Sequence, residues 1–181
     1  MKTTGIVRRI DDLGRIVIPK ETRRILKIRE GDPIEMFIDD EQVIFKKYSV
    51  LKELTDFSQQ FADILYRTEQ LPVIVCDMDR VVAVAGIAVK EVVNRPITQD
   101  VFDMIKNRKI YVYERESGLR LHAIMEDARF VIAGAPIATD TDTFGAIMFL
   151  SEDGKSVPFA TEADTKLIQA FAAYISQQLL D

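Results

Sequence analysis

The segment GIVRRIDDLGRIVIPKETRRILKI, residues 5–28, decides how the first part of this chain folds. Apolar and polar residues alternate from Thr4 to Ile10, and a second short run from Arg15 to Ile18 has the same character, which is typical of β-strands. Between the two runs, residues 11–14 read Asp-Asp-Leu-Gly, a combination typical of a turn because glycine adopts backbone conformations that other residues avoid. The segment therefore predicts two strands joined by a tight turn.

A short helix is predicted next. Pro19 fits its first position, because the fixed φ of proline suits the start of a helix, and the helix runs to about Lys27. The residues Arg-Glu-Gly-Asp-Pro at 29–33 end it. Two more strands complete the order β-β-α-β-β, at Ile34 to Ile38 and Val43 to Lys47.

Positive charge is concentrated in the same region. Residues 1–29 hold nine lysines and arginines against three acidic residues, whereas residues 51–181 hold 13 against 20, in a chain of net charge −5. This asymmetry is expected when one small region meets a polyanion and the remainder is kept soluble by its negative charge. The alternative is that the arginines form an ordinary solvated face.

The predicted helix carries basic residues at positions i, i+3, i+4 and i+7, which share one face: Lys20, Arg23, Arg24 and Lys27. Like charges at this spacing repel, so a compensating anion outside the helix is expected. Ile25 and Leu26 turn toward the core in this interpretation. Because about 48 residues in short elements bury too little surface to be stable alone, the sequence also predicts pairing between chains.

The run GIVRRIDDLGRIVIPKETRRILKIREGDPIE, residues 5–35, closely resembles the AbrB-like DNA-binding domain. The pattern D-x-x-G-R-I-V-I-P-K-E is its most specific part. The resemblance implies a domain-swapped homodimer in which the hairpins of two chains interleave into one β-barrel, with double-stranded DNA as the partner. It also implies the DNA-binding residues, which are Arg8, Arg15, Arg23 and Arg24, with Lys2 and Arg9 as weaker candidates.

Arginine suits this role, since its planar fork of donors matches phosphate and the edge of guanine. Arg8 and Arg9 are adjacent in a predicted strand and so point to opposite faces, which is why Arg9 is the weaker of the two. No second helix precedes the basic helix at the spacing of a helix-turn-helix motif. Specificity must then come from a few base contacts together with DNA shape.

From residue 51 onward the pattern predicts a second domain, residues 51–181, after an N-terminal domain of residues 1–50. Helices are predicted from Leu51 to about Tyr66, near Thr98 to Asn107, and from Thr161 to Leu180, the last opened by a capping arrangement of Thr161 and Asp164. Strands are predicted at Val73 to Cys76, Val81 to Ala85, Ile110 to Tyr113, Phe130 to Pro136 and Thr143 to Leu150.

This order of elements resembles a GAF domain, a small-molecule sensor fold, over about residues 55–181. The resemblance implies an unknown small-molecule ligand and a dimer contact through the first and last helices. Combined with the N-terminal pairing, that contact gives a homotetramer. The predicted fold class is therefore α+β or mixed, with an N-terminal domain-swapped AbrB-like β-barrel and a C-terminal α/β GAF-like domain.

Several catalytic patterns are present only in part. Asp77-Met78-Asp79 matches the D-x-D of haloacid dehalogenase phosphatases, but a strand follows almost at once, which favours a hairpin turn over the crossover that such a fold needs. His122 and Glu126 form neither a triad nor a metal site. Cys76 lies in a buried-looking strand, where inert packing is favoured. We therefore expect no enzymatic activity, no cofactor and no metal.

The composition excludes other classes of protein. The longest apolar runs, such as VVAVAGIAV at 81–89, fall short of the roughly 20 residues of a membrane span, and no leader pattern opens the chain. One cysteine and one histidine allow neither an internal disulfide nor a zinc cluster. We expect a soluble, cytoplasmic protein.

The whole chain resembles a family of transcription regulators of spore-forming bacteria. The predicted function is a DNA-binding regulator of sporulation genes, with activity modulated by a small molecule in the GAF-like domain. The alternative is an antitoxin of a toxin–antitoxin pair, which would use an AbrB-like domain with a disordered tail in place of a folded domain. A third hypothesis is an enzyme whose second domain does chemistry.

Overall fold

The computed structural model describes residues 6–49, 51, 55–116, 118–153 and 160–179. The chain divides into two compact units, Met1–Tyr48 and Ser49–Asp181, which we call the N-terminal unit and the C-terminal unit.

The N-terminal unit contains a short helix, α1 (Lys20–Ile25), and two strands, β1 (Ile34–Asp39) and β2 (Gln42–Lys47). The strands pair antiparallel, from Ile34 opposite Lys47 to Asp39 opposite Gln42. The turn between them holds Asp40 at a φ of 48°, a conformation that aspartate tolerates better than most residues. The predicted helix and the predicted second pair of strands are confirmed.

The first pair of predicted strands is not formed within the single chain. Residues 6–10 and 15–18 have no strand partner in the part of the chain that the structure describes, and the sheet of this unit holds only β1 and β2. A strand persists only when another strand satisfies its backbone N–H and C=O groups. Because the described residues supply none for these segments, the prediction of two strands here is wrong for an isolated protomer.

The described residues of the N-terminal unit do not form a core of their own. None of its described residues is buried. Ile25 is 76% exposed and Leu26 is 53% exposed, so the prediction that they turn toward a core is wrong for the single chain. The physical reason is size, since short elements of fewer than 50 residues cannot enclose these side chains without a second layer.

The C-terminal unit is built on one five-stranded sheet in the order β4-β3-β7-β6-β5, in which every pair of neighbours is antiparallel. Its strands are β3 (Val73–Asp77), β4 (Val81–Ala85), β5 (Tyr111–Val112), β6 (Val131–Ala138) and β7 (Thr143–Leu150), and its helices are α2 (Thr55–Glu69), α3 (Val89–Val92), α4 (Gln99–Lys106) and α5 (Glu162–Gln178). All five predicted strands are present, and so are the three predicted helices, except that residues 52–54 and Leu180 of those helices lie outside the described residues.

Two apolar layers cover the two faces of this sheet. On one face α2 and α5 pack through residues such as Leu65 and Ile168. On the other face α4, Val92 of α3 and the loop around Leu121 form a second cluster. The unit is therefore a three-layer sandwich of helices, sheet, and a mixed layer of helix and loop.

A capping box fixes the start of α5. At the start of α5 the Thr161 side chain accepts a hydrogen bond from the Asp164 N–H at 3.1 Å, and the Asp164 carboxylate accepts one from the Thr161 N–H at 2.6 Å. This reciprocal pair confirms the predicted capping arrangement.

Among the described residues, no helix has the length and apolar character needed to cross a membrane.

Candidate nucleic-acid interface

The predicted DNA-binding arginines lie at the surface of the N-terminal unit. Arg8, Arg9, Arg15, Arg23 and Arg24 are all exposed. Arg23 and Arg24 lie together on α1, Arg15 follows the turn that precedes this helix, and Arg8 and Arg9 lie in the segment before the turn. Lys2 lies outside the described residues.

Helix α1 holds three of the four basic residues predicted to share a face. It begins after Pro19, whose carbonyl accepts the Arg23 N–H at 2.9 Å. It ends at Ile25, and Lys27 lies beyond it with a φ of 52°. In this left-handed conformation the chain reverses, and the Ile28 N–H reaches the Arg23 carbonyl at 2.8 Å. Lys27 therefore belongs to the C-terminal cap of α1 and not to its basic face.

Helix α1 carries more positive than negative charge, since Glu21 is the acidic residue of its first turn and Arg23 and Arg24 lie in its last turn. Within the described ranges, neither Arg23 nor Arg24 forms an ion pair with a carboxylate, whereas Arg15 pairs with Asp11 and Lys47 pairs with Asp32. Uncompensated guanidinium groups at a surface attract phosphate and keep their donors available for it. Exposed arginines without carboxylate partners on α1 are therefore what we expect of a surface that binds a polyanion.

The Lys47 side chain ties the end of the helix to the strand pair. Its Nζ donates to the Lys27 carbonyl at 3.2 Å and lies 3.0 Å from the Asp32 carboxylate. The same carboxylate accepts the Arg29 N–H at 2.7 Å. A helix of six residues is marginal alone, so these contacts help to hold the segment that carries Arg23.

Arg15 is oriented by a carboxylate four residues earlier in the chain. Asp11 Oδ2 accepts the Arg15 Nε–H at 2.8 Å, and Oδ1 accepts the Arg15 backbone N–H, also at 2.8 Å. These hydrogen bonds hold the pKa of Asp11 below its ordinary value, and the bond from the Arg15 backbone has a larger effect than the bond from its side chain. From the sequence Asp11 was predicted only to be a turn residue, although an aspartate three residues before the Gly14-Arg15 pair of a tight turn is a signal for such a contact.

The Asp77-Met78-Asp79 pattern of the C-terminal unit has a structural role in a turn. Asp77 Oδ1 accepts the backbone N–H groups of Asp79 and Arg80 at 2.7 and 2.8 Å, and its Oδ2 accepts the Ser49 hydroxyl at 2.8 Å. The strands on either side, β3 and β4, pair antiparallel, which confirms the predicted hairpin. Asp77 thus organises a turn, the role that an aspartate commonly has there.

Neither the histidine nor the cysteine is arranged for catalysis. His122 Nδ1 lies 3.1 Å from the carbonyls of both Asp127 and Arg129 and so donates its proton within a loop. Cys76 is buried, and burial raises the pKa of its thiol far above the ordinary range. A thiol held neutral in this way is a poor nucleophile, as the sequence predicted.

A charged groove of about 400 Å³ opens on the surface of the C-terminal unit, and its lining is Glu91, Arg95, Glu126, Asp127, Ala128, Arg129, Glu152 and Asp153. Arg129 is largely engaged, since it forms ion pairs with Asp127 at 2.8 Å and Glu91 at 3.4 Å. A groove with this lining suits a polar or ionic ligand in preference to an apolar one.

A small unit with an exposed arginine surface, joined to a larger acidic unit, is suited to binding a polyanion such as DNA. The family model described as stage V sporulation protein T C-terminal, transcription factor, matches residues 53–180. Stage V sporulation protein T of Bacillus subtilis (strain 168) is 40% identical over 181 residues, which cover 99% of both chains. The chain belongs to this family, and it is a regulator of transcription in sporulation.

The N-terminal unit has relatives of its own. The transition state regulatory protein AbrB of Bacillus subtilis (strain 168) is 60% identical over 48 residues, which cover 26% of this chain and 50% of that protein. The family model described as antidote-toxin recognition MazE, bacterial antitoxin, matches residues 7–49. Because that match covers only the first unit, whereas the sporulation family spans the chain, the antitoxin alternative is the less supported.

The C-terminal unit is similar in fold to a solved enzyme. The type II free methionine-R-sulfoxide reductase of Thermoplasma acidophilum matches with a TM-score of 0.51 and 16% identity, covering 70% of this chain and 93% of that one. At this identity the similarity shows the fold alone, which is consistent with the predicted GAF-like architecture.

Proposed function

We propose that Arg8, Arg15, Arg23 and Arg24 form the surface through which this regulator binds double-stranded DNA, with Arg9 and Lys2 as weaker contributors. The observation that carries the proposal is the exposure of Arg23 and Arg24 side by side on α1 with no carboxylate partner among the described residues. Phosphate oxygens would supply the missing negative charge, and base edges would supply specificity. A protein with this role works in the cytoplasm, where the chromosome lies.

The DNA-binding form is a swapped dimer in this proposal. Val7 is 88% exposed, Val17 is 73% exposed and Ile38 is 78% exposed, so apolar side chains of every segment of the N-terminal unit face outward. Interleaving the segments at 6–10 and 15–18 with those of a second chain would give them strand partners and would close a β-barrel over this apolar surface. The two copies would then present their arginines on one surface.

Arginine substitutions test the surface directly. In the full chain, Arg23→Ala and Arg24→Ala should each weaken binding to a fluorescein-labelled duplex about tenfold, the range of one lost arginine contact. The slope of log K against log salt should flatten by about 0.9 for each lost phosphate contact. Arg67→Ala, which removes the same charge from an exposed position in α2, is the matched control. Affinity that is unchanged in both helix variants rejects the surface.

The C-terminal unit contributes assembly and sensing in this proposal. Its α2 and α5 carry an aromatic cluster that continues to the surface at Tyr174, which is 49% exposed. Packing of this helix pair against that of a second copy would add a contact independent of the N-terminal dimer and so build a homotetramer.

The charged groove is the candidate site for a small-molecule effector, and a thermal-shift screen of polar metabolites against the full chain tests it.

A further inference from the structure

The turn before α1 is organised by a single carboxylate. Asp11 Oδ1 accepts the Leu13 N–H at 3.0 Å and the Arg15 N–H at 2.8 Å. Its backbone completes the turn, since the Asp11 N–H donates to the Arg15 carbonyl at 3.1 Å and the Gly14 N–H donates to the Asp11 carbonyl at 3.0 Å. Gly14 has a φ of 75°, which this tight reversal requires.

The second oxygen of the same carboxylate holds the Arg15 side chain. Oδ2 accepts the Nε–H at 2.8 Å, while the Arg15 side chain stays 68% exposed. A guanidinium group has five N–H donors, one on Nε and four on the two Nη atoms. In the part of the chain that the structure describes, the Nη groups have no hydrogen-bond partner, so the end of the guanidinium that reads phosphate or guanine is free.

Two opposing effects of Asp11 on DNA binding follow from this geometry. As an anion it repels phosphate, and this repulsion is screened because the group lies in solvent. As a hydrogen-bond acceptor it fixes the plane of the Arg15 guanidinium, which lowers the conformational freedom that a long side chain loses on binding. Asp12 is its neighbour, is also exposed, and makes no hydrogen bond among the described residues, so it exerts only the first effect.

We propose that Asp11 is a positioning residue for DNA binding, which presents the Nη groups of Arg15 to the duplex. The proposal rests on the proposed function, since it takes Arg15 as a DNA contact. It goes further by assigning a favourable role in binding a polyanion to an acidic residue.

The comparison of Asp11→Asn with Asp12→Asn tests the assignment, because both remove one negative charge from the same turn. Asparagine at 11 keeps an oxygen for the backbone N–H groups and loses the acceptor for Arg15 Nε. In the full chain, Asp11→Asn should weaken binding to a fluorescein-labelled duplex at low salt by about twofold to fivefold, the range of an exposed ion pair. Asp12→Asn should tighten binding. If both variants tighten binding alike, the proposal is overturned.

A double substitution separates positioning from a general effect on the turn. In the Arg15→Ala background nothing is left to position, so Asp11→Asn should now tighten binding as Asp12→Asn does. If Asp11→Asn still weakens binding there, the carboxylate only maintains the turn and the proposal fails. If Arg15→Ala itself leaves affinity unchanged, Arg15 is no DNA contact and the inference falls with it. If Arg15→Ala weakens binding while Asp11→Asn tightens it, the proposed surface stands and the inference alone fails.

Discussion

The side chain of Gln59 hydrogen-bonds both backbone groups of Val84. Its Nε2 donates to the Val84 carbonyl at 2.7 Å, and its Oε1 accepts the Val84 N–H at 3.2 Å. Val84 lies in β4, an edge strand of the five-stranded sheet. Exposed strand edges pair readily with other chains, and at Val84 the Gln59 side chain of α2 takes the place that a neighbouring strand would have.

Replacement of this glutamine should therefore destabilise the sheet edge. Gln59→Leu keeps the size of the side chain and leaves two buried backbone groups of Val84 without partners, at a cost of about 1–3 kcal/mol. Gln60→Leu, at an exposed position of the same helix, adds the same apolar group and is the control. Urea unfolding of the two variants measures the difference, and equal midpoints would show that the glutamine does not stabilise the edge.

Two glycines of the central strands should differ sharply in their response to alanine. A Cβ on Gly145 would collide with the backbone carbonyl of Cys76 on β3, whereas a Cβ on Gly134 would meet the Met148 side chain at 2.9 Å. Methionine can move and a paired backbone cannot. Gly145→Ala should cost more than about 3 kcal/mol or prevent folding, and Gly134→Ala about 1 kcal/mol. Thermal unfolding of the two variants checks this order, and a Gly145→Ala variant as stable as Gly134→Ala would contradict it.

The strands of the C-terminal unit were predictable because their pattern is local. Residues 144–150 form a continuous apolar run with a turn shortly before it, and the predicted strand, Thr143 to Leu150, has the observed bounds. The short helix at Val89–Val92 was not predicted, since its first residue ends an apolar run that reads as a strand. Four residues carry too little periodicity to separate helix from strand.

The N-terminal unit was less predictable because its partners are not local. The alternation of residues 6–10 marks a strand only if another strand pairs with it, and the described part of the single chain offers none. The role of Asp11 was missed for a similar reason, since its contact with Arg15 depends on the path of the turn. Residue types indicated the arginine surface, whereas three-dimensional geometry was needed to find what orients it.

The ion pair of Asp127 and Arg129 should make stability depend on pH. Burial opposes ionisation of Asp127, but hydrogen bonds from Arg129 and the charges of Arg129 and Arg95 outweigh burial and lower the pKa of Asp127. A carboxyl group with a lowered folded-state pKa stabilises the protein above its unfolded pKa of about 3.9, and this stabilisation is lost as the pH falls through the folded-state pKa.

Asp127→Asn removes this contribution. The difference in unfolding free energy between the parent and Asp127→Asn should stay constant from neutral pH to about pH 5 and shrink below about pH 4. Urea unfolding over a pH series measures it, with Asp140→Asn at an exposed position as control. A difference that stays constant into strong acid would mean that the charge of Asp127 does not contribute.

The aromatic cluster on α2 and α5 should determine the size of the assembly. The ring of Phe61 lies 4.6 Å from Phe57, 5.2 Å from Phe171 and 5.5 Å from Tyr174, and Tyr174 continues the cluster to the surface. Tyr174→Glu would place a charge in the proposed contact between helix pairs, where burial of an unpaired carboxylate is costly. We expect this substitution to halve the mass of the assembly that the full-length protein forms, as measured by sedimentation. Gln177→Glu, which adds the same charge at an exposed position of α5, should leave that mass unchanged. Equal masses for the parent and Tyr174→Glu would assign the cluster to the internal core alone.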